Sequence, residues 1–185
     1  SDLRLRAVLR PETVIVFHDG FRLLRWGGWF RRAGMRNVML DTHQYLIAME
    51  DPLFSGPARR LYLRSRRLPW LYRMLVGASG IAIRSAARRI PVLVGEWCVE
   101  NQWALHSQNR SAAYRQVSRL QRAAWDVSAG QIYWSYQLAR SAKPGSGEGK
   151  PPRDPRNGGN LEAWDLTRVW RHGWIRADTS HDDMP

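Results

Sequence analysis

Seven consecutive residues constrain this chain most: Pro91-Val92-Leu93-Val94-Gly95-Glu96-Trp97. Val92, Leu93 and Val94 make a short apolar run, the pattern of a strand buried on both faces. Such a strand belongs in a parallel sheet, and it delivers one carboxylate, Glu96, at its C-terminal end. In parallel α/β barrels that end carries the reactive groups. Gly95 lets the backbone bend or lets something come close. Trp97 offers a flat apolar face of the kind on which sugars stack. Taken alone, the run is equally a buried strand that ends in a solvated glutamate.

Three further runs end in the same way. Thr13-Val14-Ile15-Val16-Phe17 leads into His18 and Asp19, and Asn37-Val38-Met39-Leu40 leads into Asp41-Thr42-His43-Gln44-Tyr45. Gly130-Gln131-Ile132-Tyr133 leads into Trp134-Ser135-Tyr136-Gln137. Strand-like runs separated by connections of helix or loop length predict (βα) units with a shared polar rim, hence an α/β fold. Between them, Phe21 to Gly34 reads as an aromatic, glycine-bearing loop or short helix, whose tryptophans suit sugar stacking and core packing equally. Leu68 to Ile90 and Ser107 to Asp126 read as helices, the second with Tyr114, Val117, Leu120, Gln121 and Ala124 on one face. Leu161 to Ile175 reads as an apolar closing helix. Residues 143–160 are rich in Gly, Pro and charge and read as a mobile loop bordering the site, and 176–185 as a frayed tail.

The net charge is +13, and Lys143 and Lys150 are the only lysines, so arginine carries nearly all of it. Nine arginines and no carboxylate lie between Gly56 and Ile90. Such a field can attract nucleic acid or an anionic membrane surface. The plainer reading is a helix between two strands with its arginines in solvent. No apolar run approaches the length of about 18 residues that spans a bilayer. Cys98 is the one cysteine, so neither an intrachain disulfide nor a thiolate cluster is expected. His18, His43, His106, His172 and His181 show no zinc spacing, and no metal or cofactor is expected. The start, Ser1-Asp2-Leu3-Arg4, opens into a charged amphipathic piece ended by Pro11, with no signal peptide. A natural start would make the chain cytoplasmic; a fragment leaves its address open.

In the order VFHDGF, DTHQY, VLVGEW, YWSY, these motifs resemble the second half of family-5 glycoside hydrolases, nearest the exo-β-1,3-glucanase branch. The likeness covers nearly the whole chain. It implies a partial (β/α)8 TIM barrel, strands five to eight with their helices, forming a single C-terminal half-barrel domain over residues 1–185. It further implies retaining hydrolysis of a β-linked glucan or glucoside. Glu96 matches the nucleophile at the end of the seventh strand. His43 and Tyr45 match an H-x-Y pair beside it, and Trp134 an aromatic platform under the sugar. His18 and Asp19 match a rim segment of the fifth strand. The residue types suit that chemistry, in which one carboxylate attacks the anomeric carbon while a second carboxyl, about 5–5.5 Å away, protonates the leaving oxygen. A tyrosine donating to the nucleophile keeps it ionised and oriented.

The departures are equally informative. The family's proton donor is the glutamate of an Asn-Glu-Pro motif, and this chain has no Asn-Glu-Pro. Glu12, Glu50, Glu100, Glu148 and Glu162 do not sit at a comparable strand end, although Glu100 follows Glu96 closely. The expectation is therefore half an active site, weak or silent on glucan, whose open barrel face a second chain or a homodimer would cover. The alternative is a non-catalytic carbohydrate-binding or scaffold half-barrel. Nucleic-acid or membrane-surface binding, resting on charge alone, ranks last.

Overall fold

The computed structural model describes residues 8–10, 12–32, 35–54, 68–138 and 160–176. Residues 1–7 of the charged piece before Pro11, all of the 143–160 loop but Asn160, the tail beyond Arg176 and the arginines from 59 to 67 lie outside the described residues. Four strands form one parallel sheet in chain order: β1 (Ile15–His18), β2 (Val38–Gln44), β3 (Val92–Trp97) and β4 (Gly130–Tyr133). The helices are α1 (Leu23–Arg32), α2 (Leu46–Phe54), α3 (Leu68–Ala87), α4 (Gln102–His106), α5 (Arg110–Trp125) and α6 (Leu166–Arg171). The architecture is thus α/β.

Some boundaries differ from expectation, for local reasons. The segment after Gly20 is a true helix, α1, entered through an Asx turn in which Asp19 accepts the Phe21 N–H at 2.8 Å. The second strand does not stop at Leu40 but runs through Gln44, because Thr42 and Gln44 find polar partners behind the sheet. The closing segment is not one helix. A 3₁₀ turn (Leu161–Trp164) gives way to α6, because Asp165 caps the second piece by accepting the Arg168 N–H at 3.1 Å.

The sheet buries one face. Ile15, Phe17, Val38 and Leu40 pack with Phe30, Leu23 and Trp26. Val92, Val94 and Trp97 pack with Ile83 and Ala86 of α3 and with Tyr114 and Trp125 of α5. Side chains of the opposite register, Val16, Met39, Leu93 and Ile132, join none of the three cores formed by the described residues. Val16 and Ile132 are half exposed. Parallel sheets are ordinarily covered on both faces, so a face that joins no core among the described residues is the most unusual feature of the fold. Arg73 and Arg84 of α3, and Arg88 and Arg89 in the turn after it, stand in solvent as the plain reading expects, but Trp70, Met74 and Ile81 of α3 are exposed too. No helix among the described residues is long and apolar enough to cross a membrane.

Candidate active site

The C-terminal ends of β2 and β3 carry a cluster of ionisable side chains, and a bulge assembles it. Pairing between these strands is regular through Thr42↔Val94 and then slips, so that His43 lies opposite Glu96 and Gly95 is the extra residue. Strict alternation from Val94 would turn Glu96 toward the helices and Trp97 outward. The added residue inverts this. Glu96 joins the open face beside His43, while Trp97 goes into the core, edge-on to Trp125 and Tyr133 with ring centroids 5.5 and 4.9 Å away. Trp97 is therefore no sugar platform, contrary to the sequence expectation.

Glu96 Oε2 accepts the Tyr45 hydroxyl at 2.7 Å and lies 3.1 Å from His43 Nδ1. Burial, and then the bond to Glu96, holds the Tyr45 phenol well above its ordinary range, so Tyr45 is a donor here. Its ring stacks on Trp164, 5.2 Å away and inclined by 28°, which fixes the hydroxyl over the carboxylate. The other nitrogen of His43, Nε2, lies 3.0 Å from Asp41 Oδ2. Asp41 and His43, two apart on one strand, share a face, and that spacing was the available signal for Asp41, which sequence reasoning passed over. Gly95 has a sharper purpose than bending: a Cβ there would stand 1.9 Å from Asp41 Oδ1. The close approach it permits is that of a neighbouring side chain.

The remaining residues singled out in the sequence fall into different places. His18 packs edge-on against His43, ring centroids 4.3 Å apart, and belongs to the cluster. Asp19 does not face the rim: it is buried and accepts the Thr42 hydroxyl at 2.8 Å and the Phe21 N–H, because an Asp at a strand end satisfies the turn that follows. It anchors a polar chain behind the sheet, in which Trp125 donates to Ser79, Ser79 to Gln44, Gln44 to Thr42 and Thr42 to Asp19. Trp134 follows β4, its backbone N–H donating to the Trp97 carbonyl at 2.8 Å and its indole half exposed. Trp26 donates to the Asp19 carbonyl and packs against Trp29 and Phe30, so it is core.

The other carboxylates and Cys98 lie deeper. Glu100 accepts from Asn160 N at 2.7 Å, Tyr114 Oη at 3.2 Å and Asn101 N at 3.2 Å. Those partners fasten it inside the fold, not beside Glu96. Glu50, fully buried on α2, accepts the Gln102 N–H at 2.9 Å. Cys98 is buried, and desolvation raises its thiol well above the ordinary range, so it stays a thiol and offers no nucleophile. Among the described residues no group of three or more His, Cys, Asp or Glu side chains is arranged so as to hold a metal ion. Chemically, the site offers one carboxylate with two potential donors on one oxygen, Oε2. Set beside known protein families and curated proteins, the sequence matches none.

Proposed function

We propose that this chain is the nucleophile-bearing half of a retaining β-glucosidase or β-glucanase barrel, corresponding to strands five to eight, with Glu96 as the nucleophile. One observation carries the reading: the Tyr45 hydroxyl, from the residue after β2, and Glu96, from the end of β3, meet at 2.7 Å although 51 positions separate them. The H-x-Y and GEW motifs resemble those of a glycosidase as separate strings, and a hydrogen bond between them is what that chemistry requires. The bare sheet face also favours the reading, since Val16, Met39, Leu93 and Ile132 would line the interior of a closed barrel.

In the proposed reaction a Glu96 oxygen attacks the anomeric carbon as the glycosidic C–O bond breaks. Water then releases the sugar from the ester. Tyr45 holds the carboxylate ionised and aimed, and Trp134 bears on the sugar ring. The proton for a poor leaving group comes from a carboxyl outside these residues, supplied by whatever completes the barrel. General-acid help of this kind is worth about 10²–10⁴-fold. The chain by itself is accordingly expected to be nearly silent on β-glucan and measurable only on an aryl glucoside whose phenolate needs no proton.

The test is covalent trapping. A dinitrophenyl 2-deoxy-2-fluoro-β-glucoside should label the protein, with the adduct on the peptide containing Glu96, and Glu96→Gln should abolish both label and turnover. Sugar binding without label in the wild type would favour the non-catalytic carbohydrate-binding alternative. Turnover surviving in Glu96→Gln would remove the nucleophile assignment.

A further inference from the structure

His43 has a carboxylate at each ring nitrogen: Asp41 Oδ2 at 3.0 Å from Nε2 and Glu96 Oε2 at 3.1 Å from Nδ1. A neutral imidazole owns a single N–H and can serve one of them; the imidazolium serves both. The surroundings of the two acids decide which comes first. Glu96 already accepts the Tyr45 hydroxyl. Asp41 has no such second donor, for its Oδ1 is buried without a hydrogen-bond partner among the described residues. Without the ring proton the Asp41 carboxylate would have no donor among the described residues, whereas Glu96 would keep Tyr45, so the carboxylate in greater need of that proton is Asp41. The other groups around the ring are His18, whose Nδ1 accepts the Gly20 N–H and whose Nε2 lies 3.9 Å from Asp19, and Phe21, edge-on at 6.4 Å.

We infer that Asp41 is a positioning residue of this site: it claims the Nε2 proton of His43, so that the histidine donates to Glu96 through Nδ1 only when the ring carries a second proton. Tyr45 is then the permanent donor to Glu96 and His43 the conditional one. Gly95 belongs to the same device, since any side chain there would push the Asp41 carboxylate away. The consequence for rate rests on the glycosidase reading; the placement of the proton does not.

Nitrogen-15 NMR of the His43 ring tests this directly at a pH of about 9, above the ordinary histidine range. The resonance is assigned by its loss in His43→Gln. The wild type should show Nε2–H and a bare Nδ1. In Asp41→Asn the new amide can turn its NH₂ toward Nε2, so the proton should move to Nδ1 and the two resonances exchange character. Gly95→Ala, which keeps every ionisable group, should shift the proton the same way. A proton on Nε2 in both proteins, or on Nδ1 already in the wild type, overturns the inference. Exchange of the resonances without fluoroglucoside labelling would sink the glycosidase reading and leave the Asp41 placement standing. Labelling without exchange would do the reverse.

Discussion

Tyr45 is where the chemistry of the site can be probed with least damage to the fold. Its hydroxyl serves Glu96, while its ring is held separately by stacking on Trp164. Tyr45→Phe therefore removes a charge-assisted hydrogen bond and keeps the packing. Such bonds are worth roughly 1.5–3 kcal/mol, so kcat/KM on an activated glucoside should drop by about 10- to 100-fold with little change in melting temperature. A drop in thermal stability as large as the drop in rate would mean that Tyr45 is structural. His43, Tyr45 and Glu96 were legible as strings because polar residues that end apolar strands stand out. Asp41 was not, since one more aspartate beside a strand looks like a turn residue until its carboxylate is seen over Gly95.

Between elements, two features invite measurement. Where α3 crosses α5, Gly80 is buried, and an added Cβ would lie 2.8 Å from the Ala124 carbonyl oxygen. That neighbour is backbone and cannot turn aside. Gly80→Ala should cost on the order of 1–3 kcal/mol despite alanine's better helix propensity, read as a lowered urea midpoint. The second feature is the pair of acids tying α2, α4 and α5 to the end of β3. Burial raises Glu50 and Glu100 each to about 7, from a carboxylate value of 4.5. The folded chain thus keeps protons that the unfolded chain gives up. Their contribution to stability should be greatest below pH 4.5, fall as pH rises toward about 7, and level off above, by on the order of 1–3 kcal/mol for each group. Glu50→Gln should flatten that slope in urea titrations run across the same range. Neither acid's role could be read in the sequence, where a single Glu within a helix or after a strand looks solvated.

For the whole molecule, the sheet face that joins no core among the described residues is expected to govern behaviour in solution. Val16 and Ile132, 49 and 51 % exposed, belong to the two edge strands, and the half-buried Met39 and Leu93 point to the same face from the strands between. Exposed apolar side chains at both edges of a sheet mark an interface or an aggregation liability. The purified chain should therefore scatter light as a species heavier than its 21.4 kDa. Replacing both Val16 and Ile132 by lysine should return it to monomer mass while leaving its circular dichroism intact, since neither side chain supports the cores. A monomeric wild type would argue that the face is covered by the chain's own residues.

The sequence by itself determined the elements and their order. Apolar runs of strand length, alternating with helix-length amphipathic segments, leave a parallel α/β sheet as the arrangement that buries them with right-handed connections. It also marked which strand ends carry polar groups. Only the tertiary structure decided which way those groups point. One extra residue between Val94 and Trp97 shifts the pleat by half a period, turning Glu96 to the open face and sending Trp97 into the core. Periodicity cannot reveal such a slip, because register is set by the partner strand: Asp41 needs the room at Gly95, and His43 needs a carboxylate opposite it.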